Sequence, residues 1–359
     1  MRLELAPRAA VSPWARALAP VAALAVAFAL AGIAVAALGR SPAAALHVYV
    51  LEPLSDPWAL QELVAKATPL VLIAVGLSYC FRANLWNIGA EGQFTAGAVA
   101  GGWLALATHG TDAGPWVWPL MLVLGALGGA LWGAIPAWLR TRFGASEILT
   151  SLMLVYVAGL VLDYLTRGPW RDPKGFNFPQ TVAFDEAAIL PKLFGSGRVD
   201  LGAALALVAL LVTALVLGRS LFGYRLRVTG AAPRAARFAG FDTERTVLAV
   251  FTISGALAGL AGIVVVSGQI GQLQPAISPG YGFTAITVAF LGRLHPLGIL
   301  AAGLVVALTA LGGESAQIAL KLPLDLTTAF QGLLLLCVLA ADALVGHRVR
   351  LVREKSAAA

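Results

Sequence analysis

The sequence predicts an all-α, polytopic membrane bundle of about ten helical segments. Two observations carry that prediction. Hydrophobic residues make up 59% of the 359 and charged residues 12%, about half the charged share of a soluble domain. A particle of this size with a mean hydropathy of +0.84 could not cover its own exterior with polar groups in water. The apolar residues also fall in long charge-free runs, such as Ala17 to Gly39, Gly92 to Thr111, Ala113 to Leu139 and Leu201 to Gly218. About 20 such residues span a bilayer as a helix.

Taken in order, the breakpoints set spans near 17–38, 64–81, 91–108, 115–139, 146–165, 200–218, 246–267, 281–292, 296–312 and 324–342. The 47 residues from Thr246 to Gly292 contain no Asp, Glu, Lys or Arg and are too long for one crossing. The eighth span is short and begins through Pro279, Gly280 and Gly282, so it reads as a half-helix or re-entrant segment. Such backbone survives at membrane depth only against protein or a water-filled cavity. The first apolar run exceeds the 7 to 15 residues usual in a signal peptide, so the N-terminal helix is expected to stay.

With both termini cytoplasmic, 17 of the 25 Lys and Arg fall inside, from Arg2, Arg8 and Arg16 through six between 219 and 245 to four in the tail. This agrees with the positive-inside bias. The expected layout is one transmembrane domain over 1–345 and a basic cytoplasmic tail over 346–359. Within the domain lie a cytoplasmic loop, 219–245, and an extracytoplasmic loop, 166–199. The latter is placed outside despite five cations, because long loops cross with less regard for charge. Small-xxx-small pairs at Gly97/Gly101, Gly129/Gly133 and Gly255/Gly259 mark close helix packing.

Several chemistries are excluded. Cys80 and Cys337 lie in apolar runs, which argues against a disulfide or thiolate metal site. His47, His109, His295 and His347 stand apart with no H-E-x-x-H pair, and no Gly-Lys dipeptide exists for a phosphate-binding loop. No G-x-S-x-G elbow occurs. The energy source must be an ion gradient or another subunit.

Polar residues in apolar surroundings remain. Ionisable groups at bilayer depth cost about 2.5 kcal/mol or more and usually face a cavity or partner. The stretch containing Asn84, Trp86, Asn87, Gly89, Glu91 and Gln93 interrupts two spans and reads as a broken helix. It either lines a pathway or caps helix ends, with Asn87 as N-cap before Glu91. Gln269, Gln272 and Gln274, with Pro275 and Ser278, form a second irregular segment, again a pathway element or a wet outer loop. Glu147, beside Ser146, suits a helix N-terminus. Gly230 to Gly240 frames a short helix by Pro233 at its start and Gly240 at its end, with Phe238 as an apolar anchor for a partner's groove.

These residues resemble a family. Asn87-Ile88-Gly89-Ala90-Glu91-Gly92-Gln93 is similar to the N-I-G-x-E-G-Q signature of permease subunits of ABC importers for nucleosides and related sugars. The wider group includes ribose, galactose and branched-chain amino acid permeases. Glu147 to Tyr156 resembles the family's E-x-x-x-x-L-M-L-N-Y stretch, and Gly230 to Gly240 its G-x-x-P-x-A-A-x-x-x-G coupling helix. Gly280-Tyr281-Gly282-Phe283, followed by Ile286, Ala289 and Leu291-Gly292, resembles its glycine-rich segment. The sequence departs at Val155, where the family has Asn, and at Arg234, where a Glu is general among importers.

The resemblance implies a multi-pass subunit of a bacterial inner membrane that forms half of a pathway by alternating access. It implies three partners: a cytoplasmic ATPase, a second permease in a homo- or heterodimeric pore, and an extracytoplasmic binding lipoprotein. The chain itself would be no enzyme and bind no cofactor, with ATP and Mg on the ATPase. The expected pathway residues are Asn84, Trp86, Asn87, Glu91, Gln93, Gln269 and Gln272. The expected coupling residues are Pro233, Arg234, Ala235, Ala236, Arg237, Phe238 and Gly240. The rival expectation is a gradient-driven secondary transporter using Glu91 and Asp163.

Overall fold

The computed structural model describes residues 2–7, 12–195, 197–323 and 325–352. Arg8, and Arg353 and Lys355 of the expected basic tail, lie outside the described residues. The ten expected spans appear as helices: α1 (Pro13–Ala37), α4 (Pro57–Arg82), α5 (Ala90–Ala107), α6 (Val117–Phe143), α7 (Glu147–Arg167), α8 (Leu201–Arg219), α11 (Thr243–Val265), α12 (Tyr281–Leu291), α13 (Pro296–Leu320) and α14 (Asp325–Gly346). Among the described residues, eight helices are long and apolar enough to cross a membrane; α5 and α12 are the expected spans outside that set.

Shorter elements join them. They are α2 (Pro42–Leu46), a π-helical turn His47–Leu51, α3 (Glu52–Ser55), α9 (Leu221–Ala231), α10 (Pro233–Phe238) and a second π-helical turn, Val266–Ile270, that continues α11. A two-stranded antiparallel ribbon, β1 (Arg2–Pro7) with β2 (His347–Val352), is a small exception to the all-helical expectation and sets the chain's two ends side by side.

The chain divides into two compact units. One comprises Met1–Pro53 with Gly312–Ala359, the other Leu54–Leu311. In the first, α1 lies along α14, Phe28 meets Phe330 at 5.1 Å, and the Tyr49 and Thr327 hydroxyls bond at 3.0 Å.

The second unit is built around α4, which begins seven residues earlier than expected. Asp56 accepts the Trp58 N–H at 3.1 Å and Pro57 takes the first helical position, where a missing N–H costs nothing. The added turns bring in Glu62, which takes a fork of bonds from Arg198 at 2.7 and 3.3 Å. Residues apolar all round make α4 a central helix, and it is buried continuously from Ala67 to Cys80. The peripheral α7 and α8 present mostly exposed faces.

The glycine pairs are used inside the chain. α5, α6 and α11 meet along one seam, where a Cβ on Gly97 would collide with the Gly259 backbone, and one on Gly129 with Gly255. A Cβ on Gly133 would stand 2.6 Å from the Phe251 carbonyl. Lipid tails give helices no hydrophobic reason to associate, so this backbone contact supplies dispersion instead.

Candidate functional site

The site is a double break in the helices. α4 ends after Arg82 because Asn84 turns left-handed (φ 55°). Leu85 N–H then reaches the Cys80 carbonyl and Asn84 N–H the Phe81 carbonyl, both at 3.0 Å. That pair of bonds is the Schellman turn, in which Asn is the best substitute for Gly. Asn84 is therefore exposed but committed to ending α4.

The chain restarts as α5 through a buried amide pair. Asn87 Nδ2 donates to Gln93 Oε1 at 2.9 Å and to Ser254 Oγ at 3.0 Å. Gln93 Nε2 donates back to Asn87 Oδ1 at 3.1 Å, and so does Gly89 N–H, also at 3.1 Å. Both side chains are buried. The sequence suggested Asn87 as N-cap, but Gly89 holds that position and Asn87 serves it from two residues upstream. Beside them, α7 approaches closely: Ser151 Oγ accepts the Ile88 N–H at 3.2 Å, and a Cβ on Gly92 would stand 2.9 Å from Val155 Cα. Position 155, where the family pattern has Asn, thus faces glycine backbone.

Glu91 meets the second break. After its π-helical turn α11 ends at Gly271 (φ 79°), and irregular backbone runs to α12, whose N-cap is Gly280 (φ 94°). The first N–H groups of α12 are orphan donors. Ser278 Oγ accepts those of Gly280 and Tyr281 at 3.1 and 3.0 Å. Glu91 Oε2 accepts that of Gly282 at 2.6 Å. A carboxylate there complements the positive end of the half-helix dipole. Position 282 must be glycine for this approach, since a Cβ would stand 2.6 Å from Glu91 Cα.

Trp86, 39% exposed, closes the site. Its ring stacks on Phe290 at 5.7 Å, and Phe290 stacks on Phe81 at 5.0 Å.

The two glutamines stand elsewhere. Gln269 Nε2 donates to the Ala65 carbonyl at 3.0 Å. That carbonyl lies four residues before Pro69, which has no N–H to give it. Gln269 therefore repairs the α4 ladder, about 25 Å along the helix from Arg82 at 1.5 Å per residue. Gln272 Nε2 donates to Gln180 Oε1 at 3.1 Å, where the 166–199 loop is stitched to 271–273 through Thr181 and Phe184. Glu147 pairs with Arg140 across the α6–α7 turn, and Asp163 with Arg167 at 2.7 Å.

The expected coupling segment forms α10, six residues opening on Pro233. Phe241 N–H bonds the Ala236 carbonyl and Gly240 N–H that of Arg237, with Gly240 at φ 77°, again a Schellman turn. Ala236 is buried, Arg234, Ala235 and Arg237 are exposed, and Phe238 is 94% exposed. Sequence reasoning missed Arg82, Ser151, Ser254 and Phe290. A hydroxyl within an apolar run was the available signal for the two serines.

The family described as branched-chain amino acid transport system / permease component matches residues 59–339. The chain is 35% identical to the glucose ABC transporter permease of Haloferax volcanii, over 99% of this chain and 95% of that one. It is 31% identical to the guanosine ABC transporter permease of Bacillus subtilis over 74% of each chain. It is 27% identical to a nucleoside ABC transporter permease of Lactococcus lactis, over 80% of this chain and 81% of the relative. Eight apolar helices long enough to cross a membrane and a match that covers most of the sequence lead to one conclusion: the chain belongs to the branched-chain amino acid transport system / permease component family and is a multi-pass cell-membrane permease of the ABC transporter class.

Proposed function

We propose that this permease forms half of the translocation pathway of an ATP-driven importer for neutral polar solutes, nucleosides or related sugars. The observation that carries the reading is the meeting of two broken helices at Glu91, where α5 restarts and half-helix α12 begins. Discontinuous helices converging inside the bundle are the common build of a solute path. Trp86 offers a ring face to a base or sugar, and Asn84 and Ile88 flank it. Asn87 and Gln93 hold the break in shape, and Gln269 and Gln272 hold its outer approach. The names of the relatives, glucose, guanosine and nucleoside, support a neutral solute.

The energy comes from a separate ATPase that holds ATP and Mg and docks at α10. Arg234, Arg237 and Phe238 project there from a helix too short to be stable alone. A second permease completes the path, a binding lipoprotein delivers solute, and both termini and the 219–245 loop face the cytoplasm. Holding Asp163 in an ion pair with Arg167 takes away one of the two sites a gradient-driven carrier would use.

Reconstitution tests this. Vesicles carrying the permease pair, its ATPase, the binding lipoprotein and ATP should accumulate nucleoside or sugar, and vesicles carrying the permease alone should not. Accumulation by the lone permease would overturn the reading.

A further inference from the structure

We infer that Arg82 is a positioning residue that transmits the movement of α9 and α10 to the aromatic stack at the pathway; this deepens the proposed function and rests on it. The Arg82 side chain ties two helix ends together. α4 ends in the turn at Asn84. α12 ends in the same kind of turn, with Arg293 N–H on the Phe290 carbonyl and Leu294 N–H on the Ala289 carbonyl, both at 2.9 Å. Arg293 and Leu294 stand at φ 53° and 55°, a left-handed pair that non-glycine residues rarely adopt and that persists only where its surroundings fix it.

Arg82 does so. Its Nε and Nη2 both donate to the Leu294 carbonyl, at 3.2 and 2.7 Å. A guanidinium spans the gap with a planar fork that an ammonium cannot reproduce. Each end of the bridge carries a ring of the stack: Phe81 precedes Arg82, and Phe290 lies four residues before Leu294. Any shift of α4's end relative to α12's therefore changes how Phe290 meets Trp86.

The drive arrives on the other side of the same residue. Gly230 of α9 lies so close to the Arg82 backbone that a Cβ would collide with the Arg82 carbonyl and stand 3.1 Å from Ala83 C. α9 is anchored to the segment beyond α10 by Arg225 over the Phe241 ring at 5.8 Å and by Tyr224 against Phe241 at 6.3 Å. Displacing α10 thus moves α9, α9 bears on the Arg82 backbone, and the Arg82 side chain carries the movement to α12.

The test uses the reconstituted complex of permease pair, ATPase and binding protein with Arg82→Lys and Arg82→Gln, reading ATPase association, ATP hydrolysis, thermal unfolding and solute moved per ATP. Association and hydrolysis should stay within about twofold of the parent. Solute per ATP should fall about tenfold in Arg82→Gln, which loses a charge-assisted bond, and severalfold in Arg82→Lys. A Gln variant that assembles and moves solute at the parent ratio overturns the inference. Should the Gln variant fail to assemble, Arg82→Lys decides, because it keeps charge and bulk: a parent ratio there overturns it, a reduced ratio sustains it. An unmodified complex that hydrolyses ATP without moving solute would count against the proposed function instead.

Discussion

The seam between α5, α6 and α11 and the double break around Glu91 are both rich in glycine and both use it for close backbone approach, but at the break glycine does a second job. Along the seam it removes side chains so that three continuous helices touch backbone to backbone, at Gly97, Gly129, Gly255 and Gly259. At the break, glycine also marks where helices start: Gly89 opens α5 and Gly280 opens α12. The donors freed there are met by Asn87, Ser278 and Glu91. One region is held by dispersion over many atoms and has one arrangement. The other is held by a few hydrogen bonds between elements, each of which can be exchanged, and suits a part that must move.

The largest effect expected from this contrast is on the seam. Gly259→Leu would drive a side chain into the backbones of Gly125 and Gly129. Overpacking a tight core costs about 1–3 kcal/mol and occasionally more, and here the neighbours are backbone and cannot rotate away. The variant should give little monodisperse protein and lose its cooperative thermal transition. A stable, well-behaved Gly259→Leu protein would show that the seam is looser than drawn.

Next comes the amide pair. Gln93→Ala leaves one buried Asn87 Nδ2 hydrogen without a partner, while Oδ1 keeps the Gly89 N–H, a penalty of about 1–3 kcal/mol. Asn87→Ala should cost a similar amount, and the double variant less than the sum, because the second removal takes away the group left unpaired. Strict additivity of the three unfolding free energies in detergent would mean the two amides do not act as a unit.

The seam and the break were not equally legible. Spacing located six seam glycines, Gly97, Gly101, Gly129, Gly133, Gly255 and Gly259, but not Gly125, Gly128 or Gly262, which approach the same helices without having been singled out by a small-xxx-small pair. At the break the sequence located Asn87, Glu91 and Gln93 but not what they touch. Asn87's partner Ser254 is 167 residues away and Glu91's partner Gly282 is 191 away. Such pairings are set by the tertiary approach of α11 and α12, which no local pattern records. Gln269 shows the limit from the other side: its task follows from Pro69, but only once the π-helical turn is seen to bring it to Ala65. Early helix starts were missed where charged residues such as Glu62 find partners in a distant loop.

Glu91→Gln is a milder change than it looks. The amide oxygen can still accept the Gly282 N–H, so α12 keeps its cap. What is lost is the charge at the helix N-terminus, worth about 0.3–1 kcal/mol and up to about 2 in partly buried geometry. Thermal stability should change little, while ATP-driven uptake falls several-fold if the carboxylate shapes the path. Full uptake in Glu91→Gln would leave Glu91 as a cap alone, and Glu91→Leu, which removes the acceptor, would then be the variant that unfolds α12's start.

The smallest effect concerns a second carboxylate cap, Asp200, and separates local capping from the inter-helix kind. Asp200 is buried and accepts the Gly202 N–H at 2.8 Å through Oδ1 to start α8, while its Oδ2 has no hydrogen-bond partner and points at Gly268. Burial pushes its carboxyl above the ordinary value of 3.8, more than the Gly202 N–H and the Lys192 charge pull it down. The native protein therefore holds this proton more tightly than the unfolded chain does. That term favours the fold most when Asp200 is protonated, and its contribution declines as pH rises from the ordinary carboxylate value through Asp200's raised one. Asp200→Asn keeps an acceptor for Gly202 and removes the titration. Its melting temperature should equal or exceed the parent's at neutral pH, and the gap should close as pH falls toward about 4, near the reference carboxylate range. A variant less stable than the parent at neutral pH, by a margin that shrinks as pH falls through Asp200's titration, would show that Asp200 acts through its charge beside Lys192, and that a cap from within one's own helix end is no more dispensable than Glu91's reach across to α12.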